Sequence, residues 1–284
     1  MPFTKQLNKD FYIKDNRIYL SDEYYRKNNK YFKKITGSRF ASILKLNQYT
    51  SPVQAWCTIV NIYKEDMDPT LANVGNCIEP KIREYVSSLT NIKFKTYIPS
   101  QINWNVFKDD VFGGIPDGEP INEKGEFAYD IGLPMLEIKT SSEDKLAYEN
   151  VNGSLRMKKD KNGYPIVKEI GGKKKTWYLD GKFKISNEYR FQLLLYLYLR
   201  KAKNGMFAVA FLKPEDYAHP ENFDPKTHEI YIANLKIDNE YNLKTAIEYG
   251  REWYKKYIID NHFSMILDEN DKKWLKEELG DNVI

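Results

Sequence analysis

Apolar positions recur at helical spacing over three stretches in the first third of the chain. From Gly37, the residues Phe40, Ile43, Leu44 and Leu46 predict a helix with Ser38 as its N-cap. Ser51-Pro52 predicts a fresh start, Ser51 capping and Pro52 at the first helical position, with the helix running through Trp56 toward Tyr63. A third helix, over about residues 70–88, sets Val74, Ile78, Ile82, Tyr85 and Val86 on one face, and Pro80 marks a start or a kink within it. After Asn91 the pattern shortens. Residues 93–98, 102–107 and 111–116 read as short strands, Gly113-Gly114 and Asp117-Gly118 as tight turns, and 133–139 as a further strand. Residues 187–201 predict a strongly apolar helix, 205–212 a buried strand, 229–237 an alternating strand, and 241 to about 259 a closing helix. Residues 1–36, polar and rich in Tyr, are expected to form an irregular or partly helical lead-in. No break in composition marks a linker after them, so residues 37–284 are expected to form one α/β domain, helices flanking a central group of strands.

Composition narrows the class. A hydrophobic fraction of 42% with 14% aromatics is enough for a real core and excludes a largely disordered chain. The formal balance of +4, from 44 Lys+Arg against 40 Asp+Glu, is too small to name a partner. The longest apolar runs, residues 193–199 and 206–212, fall far short of the roughly 20 that a membrane span needs. The opening MPFTKQLNKDFYIKD has no apolar core of an export signal, and Cys57 and Cys77 suggest neither a disulfide framework nor a zinc site. A soluble cytoplasmic protein without membrane contact is expected. Abundant Lys, Asn, Ile and Tyr match the usage of an AT-rich genome.

Chemistry concentrates in one constellation. Gly113-Gly114-Ile115-Pro116-Asp117 precedes Leu136-Glu137-Ile138-Lys139-Thr140, with nineteen residues between Asp117 and Glu137. In a strand, Glu137 and Lys139 share one face while Ile138 points into the core. Asp117, at the end of the preceding hairpin, brings a second carboxylate beside Glu137. Hard oxygen ligands with a backbone carbonyl suit Mg²⁺, with Mn²⁺ a substitute, and a neighbouring lysine can orient water and offset phosphate charge. Metal-assisted phosphodiester hydrolysis is the reaction such a set serves. Glu-Ile-Lys by itself is also what an edge strand with a solvated charge pair looks like.

Pro116-Asp117, Glu137-Ile138-Lys139 and Gln192-Leu-Leu-Leu-Tyr196 together resemble the PD-(D/E)xK nuclease superfamily with its QxxxY helix. Gln192 and Tyr196 lie one turn apart on one face, in reach of a phosphate or the attacking water. Thr36-Gly37-Ser38, Ile43-Leu-Lys-Leu-Asn47, Tyr49, Ser51-Pro52, Trp56, Gly75 and Ile78-Glu79-Pro80 are similar to the YqaJ-like, lambda-exonuclease-type branch, and above all to its mycoplasma nucleases. The resemblance spans about residues 36–212. It implies a restriction-endonuclease-like core, a mixed central sheet flanked by helices. Asp117 and Glu137 would hold the metal with Glu79 as a further ligand and the Ile138 carbonyl as another candidate. Lys139 would position the water, and Gln192 with Tyr196 would steady the phosphate. It also implies a 5′-to-3′ exonuclease on double-stranded DNA ends, serving DNA recombination or mobile-element replication. A ring-shaped homotrimer and a single-strand annealing recombinase as partner come with it. Endonuclease or single-strand nuclease action on the same core, and a DNA-binding module with a vestigial site, are the alternatives.

Two more features bear on DNA. Ser38 serves either as a plain N-cap or, as the resemblance implies, in a pocket for a 5′-phosphate, where Lys33, Lys34 and Arg39 compete as the basic residue. The segment 145–184 holds eleven Lys/Arg, including Lys173, Lys174 and Lys175, against four acids. It interleaves them with Tyr148, Tyr164, Trp177 and Tyr178. This basic insertion, about 141–186, either tracks a phosphate backbone and stacks on an unpaired base or is a solvated β-hairpin.

Overall fold

The computed structural model describes residues 2–151, 154–237 and 240–283. The lead-in is more regular than its polarity suggests: strands β1 (Phe11–Lys14) and β2 (Arg17–Leu20) form an antiparallel hairpin, followed by α1 (Asp22–Asn28). Alternation explains the difference. Phe11, Ile18, Leu20 and Tyr24 are the inward positions and lie buried in the main core.

Helix α2 (Gly37–Ile43) is entered from Thr36, and Ser38 sits inside its first turn. The expected Ser38 cap is therefore corrected: extended backbone at Thr36 makes that residue the N-cap. Helix α3 (Pro52–Ile59) starts as predicted, with reciprocal hydrogen bonds between Ser51 and Gln54 and Pro52 in the first turn. Helix α4 (Pro69–Thr90) runs through Pro80, which stands on its exposed face, and buries Val74, Ile78, Ile82 and Val86.

Strands β3 (Lys93–Lys95) and β4 (Glu119–Ile121) pair antiparallel. The strands expected at 102–107 and 111–116 are absent. Side chains take the backbone groups that a ladder would need. Asn105 Oδ1 accepts the Phe107 and Gly114 N–H groups at 3.1 and 3.0 Å, and Asp109 Oδ1 accepts those of Val111 and Phe112 at 2.9 and 2.8 Å.

Strand β5 (Met135–Ser142) carries the chemistry. The insertion after it holds three short antiparallel pairs: β6 (Lys145–Leu146) with β9 (Val167–Glu169), β7 (Tyr148–Val151) with β8 (Ser154–Met157), and β10 (Tyr178–Leu179) with β11 (Lys182–Phe183). Trp177 anchors it. The indole is buried, donates to Ser141 Oγ at 3.1 Å and stacks on Tyr189 at 5.6 Å. Arg156 pairs with Asp66 at 2.5 Å, and the Met157 N–H donates to Asp68 at 2.6 Å, which fixes the far end to the approach of α4.

Helix α5 (Asn187–Arg200) leads to β12 (Asn204–Leu212), which lies parallel to β5 and antiparallel to β13 (Ile230–Lys236), with α6 (Pro214–Ala218) between β12 and β13. The result is a mixed sheet in the order β13-β12-β5. Strand alternation splits the interior in two. Leu136, Ile138, Met206, Ala208 and Ala210 meet α4, whereas Phe207, Val209 and Phe211 face the side of α2, α3 and α5. Helix α7 (Glu240–Tyr254) and a following π-helical turn close that second side, where Gly250 lies against Phe40 and Phe112. Helix α8 (Glu269–Leu279), which hydropathy had not suggested, buries Leu275 and sets Trp274 against Phe3 and Tyr63. The expected α/β architecture, a mixed sheet flanked by helices, is present.

Candidate active site

The parallel pairing of β5 with β12 turns Glu137 and Lys139 toward α5 and leaves Ile138 on the α4 side. Glu137 is almost fully buried, and Lys139 donates to its Oε1 at 2.8 Å. Gln192 of α5 locks both: its Nε2 donates to the same Glu137 oxygen at 2.5 Å, and its Oε1 accepts from Lys139 Nζ at 3.1 Å. Asp117 reaches the strand from the other side, where its Oδ2 accepts the Ile138 N–H at 2.7 Å. Beneath the lysine lies the Tyr189 ring, 4.8 Å from Nζ to centroid. Burial, the neighbouring Asp117 charge and, less strongly, Glu79 push the Glu137 carboxyl up to about 8. Burial and Asp117 raise Glu79 to about 7, and burial raises Asp117 against the pull of Lys139, the Ile138 N–H and Arg83. Burial alone would lower Lys139, but Glu137 and Asp117 outweigh it and hold the ammonium above its usual range.

Glu79 and Tyr196 are arranged differently from the sequence expectation. Glu79 is paired with Arg83 one turn on along α4, and Arg83 Nε donates to the Asp117 carbonyl at 2.6 Å. The Tyr196 hydroxyl accepts the Gly37 N–H at 3.3 Å, and its buried ring stacks on Phe107 at 5.3 Å. Tyr196 thus fixes the start of α2 beneath the cluster. Both glycines around it are needed as glycine: a Cβ on Gly37 would overlap Gln192, and Gly114, at φ +140°, would overlap the Tyr196 ring.

The model of the YqaJ-like viral recombinase domain matches residues 25–202. The chain belongs to this family. The expected resemblance to the YqaJ-like branch is borne out. Full-length relatives include the "Uncharacterized protein MG373" of Mycoplasma genitalium, 50% identical over 279 residues, or 98% of this chain and 99% of the relative. Its Mycoplasma pneumoniae homolog is 44% identical over the same shares. Among solved structures, an alkaline exonuclease (LHK-Exo) from Laribacter hongkongensis aligns at 13% identity over 84% of this chain and 94% of that one, with a TM-score of 0.44. A phage related exonuclease from Haemophilus somnus aligns at 12% identity over 81% and 97%, with a TM-score of 0.46.

In this YqaJ-like chain, a divalent metal finds a chemically suitable donor set. Glu137 Oε2 is buried without a hydrogen-bond partner among the described residues, and two more carboxylates lie close enough to shift its proton equilibrium. A hard cation satisfies such oxygens. No group of three or more His, Cys, Asp and Glu is gathered as a ready metal cage among the described residues; Glu79 is paired with Arg83 through one oxygen, and Asp117 accepts the Ile138 N–H through one of its own.

The remaining basic candidates sort themselves by partner. Lys34 is tied to the Asp109 carbonyl. Arg39 donates to the Lys34 carbonyl at 3.3 Å and lies beside Tyr196, and burial lowers its pKa. Lys33 is exposed; partial desolvation and the like charge of Arg39 lower its pKa. Ser38 is exposed, its hydroxyl 3.4 Å from that of Thr36. In the insertion, Lys174 is paired with Glu229 and Lys175 with Glu169 at 3.6 Å, while Lys173 is exposed. Sequence reading missed Arg83, Tyr189 and Arg200. For Arg83 a signal existed, since it stands four residues after Glu79, whereas Arg200 pairs with Glu119, 81 residues away.

Proposed function

We propose that this protein is a metal-dependent deoxyribonuclease, acting as a 5′-to-3′ exonuclease on double-stranded DNA ends in recombination or mobile-element replication. The observation that carries this reading is the bonded set Glu137, Lys139 and Gln192 with Asp117 alongside, closed around a carboxylate oxygen that no hydrogen bond among the described residues satisfies. Family membership supports it. Asp117, Glu137 and Glu79, with the Ile138 carbonyl, are the groups that would hold Mg²⁺ or Mn²⁺. When bound, such an ion supplies Lewis-acid polarisation of a phosphoryl oxygen and a lowered water pKa. Lys139 is positioned to donate to a phosphoryl oxygen or an attacking water, and Gln192 keeps its ammonium over the reacting atoms. Tyr196 holds Gly37 in place, so α2 presents Ser38, with Lys33 and Arg39, to a terminal phosphate. Tyr196 thus supports the phosphate indirectly.

Incubation of linear duplex and covalently closed circular DNA with Mg²⁺ or Mn²⁺ tests the reading. Linear DNA is expected to be consumed from 5′-phosphorylated ends, and loss of the closed circle would make the enzyme an endonuclease. A cytoplasmic ring trimer working beside a single-strand annealing recombinase belongs to the same reading. Sedimentation of the purified protein and co-purification with the recombinase test it.

A further inference from the structure

A cleft of about 710 Å³ opens beside the catalytic cluster, and Thr140, the residue after Lys139 on β5, lines it. One wall is the loop between α2 and α3, which carries Tyr49. The opposite wall is the insertion, with Tyr148, and the floor includes Tyr189 of α5. Tyr49 is 72% exposed and Tyr148 39%. Burial raises the Tyr148 and Tyr189 hydroxyls above their ordinary value, and the nearby Tyr49 phenol adds a smaller push to each. Asn47 holds the loop in place: its Oδ1 accepts the Tyr49 N–H at 2.7 Å while its Nδ2 donates to Glu188 at 2.9 Å.

The charges of the cleft are unevenly satisfied. Its three acids each have an internal partner: Asp144 accepts the Gly171 N–H at 2.7 Å, Glu169 meets Lys175 and Glu188 meets Asn47. Lys145, Lys168, Lys173 and Lys184 also line it, all are exposed, and none has an ion pair among the described residues. What the cleft leaves free is cationic and aromatic. Its volume matches one or two nucleotides and is far too small for a duplex.

We infer that this cleft binds an unpaired stretch of the DNA strand next to the scissile phosphate, with bases stacked on Tyr49 and Tyr148 and phosphates on the four lysines. The inference rests on the nuclease reading and adds to it a subsite and a substrate form. The insertion becomes one wall of a single-strand channel that starts at Thr140, next to Lys139 on β5. Lys174, held by Glu229, contributes to the wall's structure and not to the strand.

The test uses the full chain in EDTA, with fluorescence anisotropy of a labelled oligothymidylate and of a blunt duplex of equal length. The single strand is expected to bind more tightly than the duplex. The Tyr49→Ala/Tyr148→Ala pair and the Lys168→Ala/Lys173→Ala pair should each weaken single-strand binding by about tenfold. The lysine pair should also flatten the salt dependence. Tyr49→Phe/Tyr148→Phe should retain wild-type affinity, because stacking needs the ring and not the hydroxyl. A strand carrying 5-iodouracil should photocross-link to the peptides containing Tyr49 or Tyr148. Equal affinity for strand and duplex, unchanged Kd in the folded alanine pairs, or cross-links confined to other segments would overturn the inference. Wild-type DNA hydrolysis is measured separately. Hydrolysis with unchanged alanine pairs defeats the cleft alone, and strand binding without hydrolysis under any divalent metal defeats the nuclease reading alone.

Discussion

Arg200 grips the fully buried Glu119 with two parallel hydrogen bonds, Nε to Oε1 at 2.6 Å and Nη2 to Oε2 at 2.8 Å. Tyr129 donates to the same carboxylate at 2.6 Å, and Tyr97 also donates to it. Glu119 lies two residues beyond Asp117, and Arg200 lies two turns beyond Gln192 on α5. The pair therefore ties the segment that presents Asp117 to the helix that presents Gln192. Arg200→Ala would strand the carboxylate in the core. It is expected to cost about 3–5 kcal/mol in urea unfolding, and Arg200→Lys less, since it keeps the charge and loses the fork. Equal stability of wild type and the alanine variant would show that the pair does not hold the two elements together.

Glu137→Gln and Asp117→Asn should each lower hydrolysis of linear duplex by at least about a hundredfold while the fold persists. Added Mg²⁺ should raise the Tm of wild type and leave the Tm of Glu137→Gln nearly unmoved, because a ligand that binds only the folded site stabilises it by mass action. Thermal melts with and without EDTA decide this.

The raised carboxyls give the metal-free protein a specific pH response. Unfolded, Glu137 and Glu79 titrate near the ordinary value of about 4.3. Folded, they hold protons up to about 8 and about 7. Their protonated forms thus favour the fold below the ordinary value, and that stabilisation is lost as pH rises through the folded values. In EDTA, the Tm of wild type should fall relative to Glu137→Gln between pH 5 and pH 9, where the amide does not titrate. A constant Tm difference across that range would contradict the assignment.

Gly37→Ala places a methyl against Gln192 where helices α2 and α5 touch. Overpacking of this kind is expected to cost about 1–3 kcal/mol. It should also displace Gln192 from Glu137, so nuclease activity should fall by more than the lost stability explains. The 137–192 hydrogen bond in a crystal structure of the variant reports the displacement directly.

The parts legible in the sequence are those that local rules decide. The start at Ser51-Pro52 follows from a cap and a fixed φ, and the apolar face of α4 follows from its period. The shared face of Glu137 and Lys139 follows from strand alternation. The apolar residues of 102–107 and 111–116 suit strands, whereas Asn105 and Asp109 divert the backbone hydrogen bonds into a loop. Helix α8 has few apolar residues, and its burial comes from partners at the other end of the chain.

The sequence by itself determined the family, the mixed α/β class and the residue types of the candidate site, because motif order and side-chain periodicity are properties of neighbours along the chain. Only the tertiary structure decided which charges are free. Lys174 is spent on Glu229, Glu79 on Arg83 and Glu119 on Arg200, whereas Lys168, Lys173 and one oxygen of Glu137 have no such partners among the described residues. A charge is neutralised by whatever lies near it in space, and two of these three pairs join residues that no sequence pattern links.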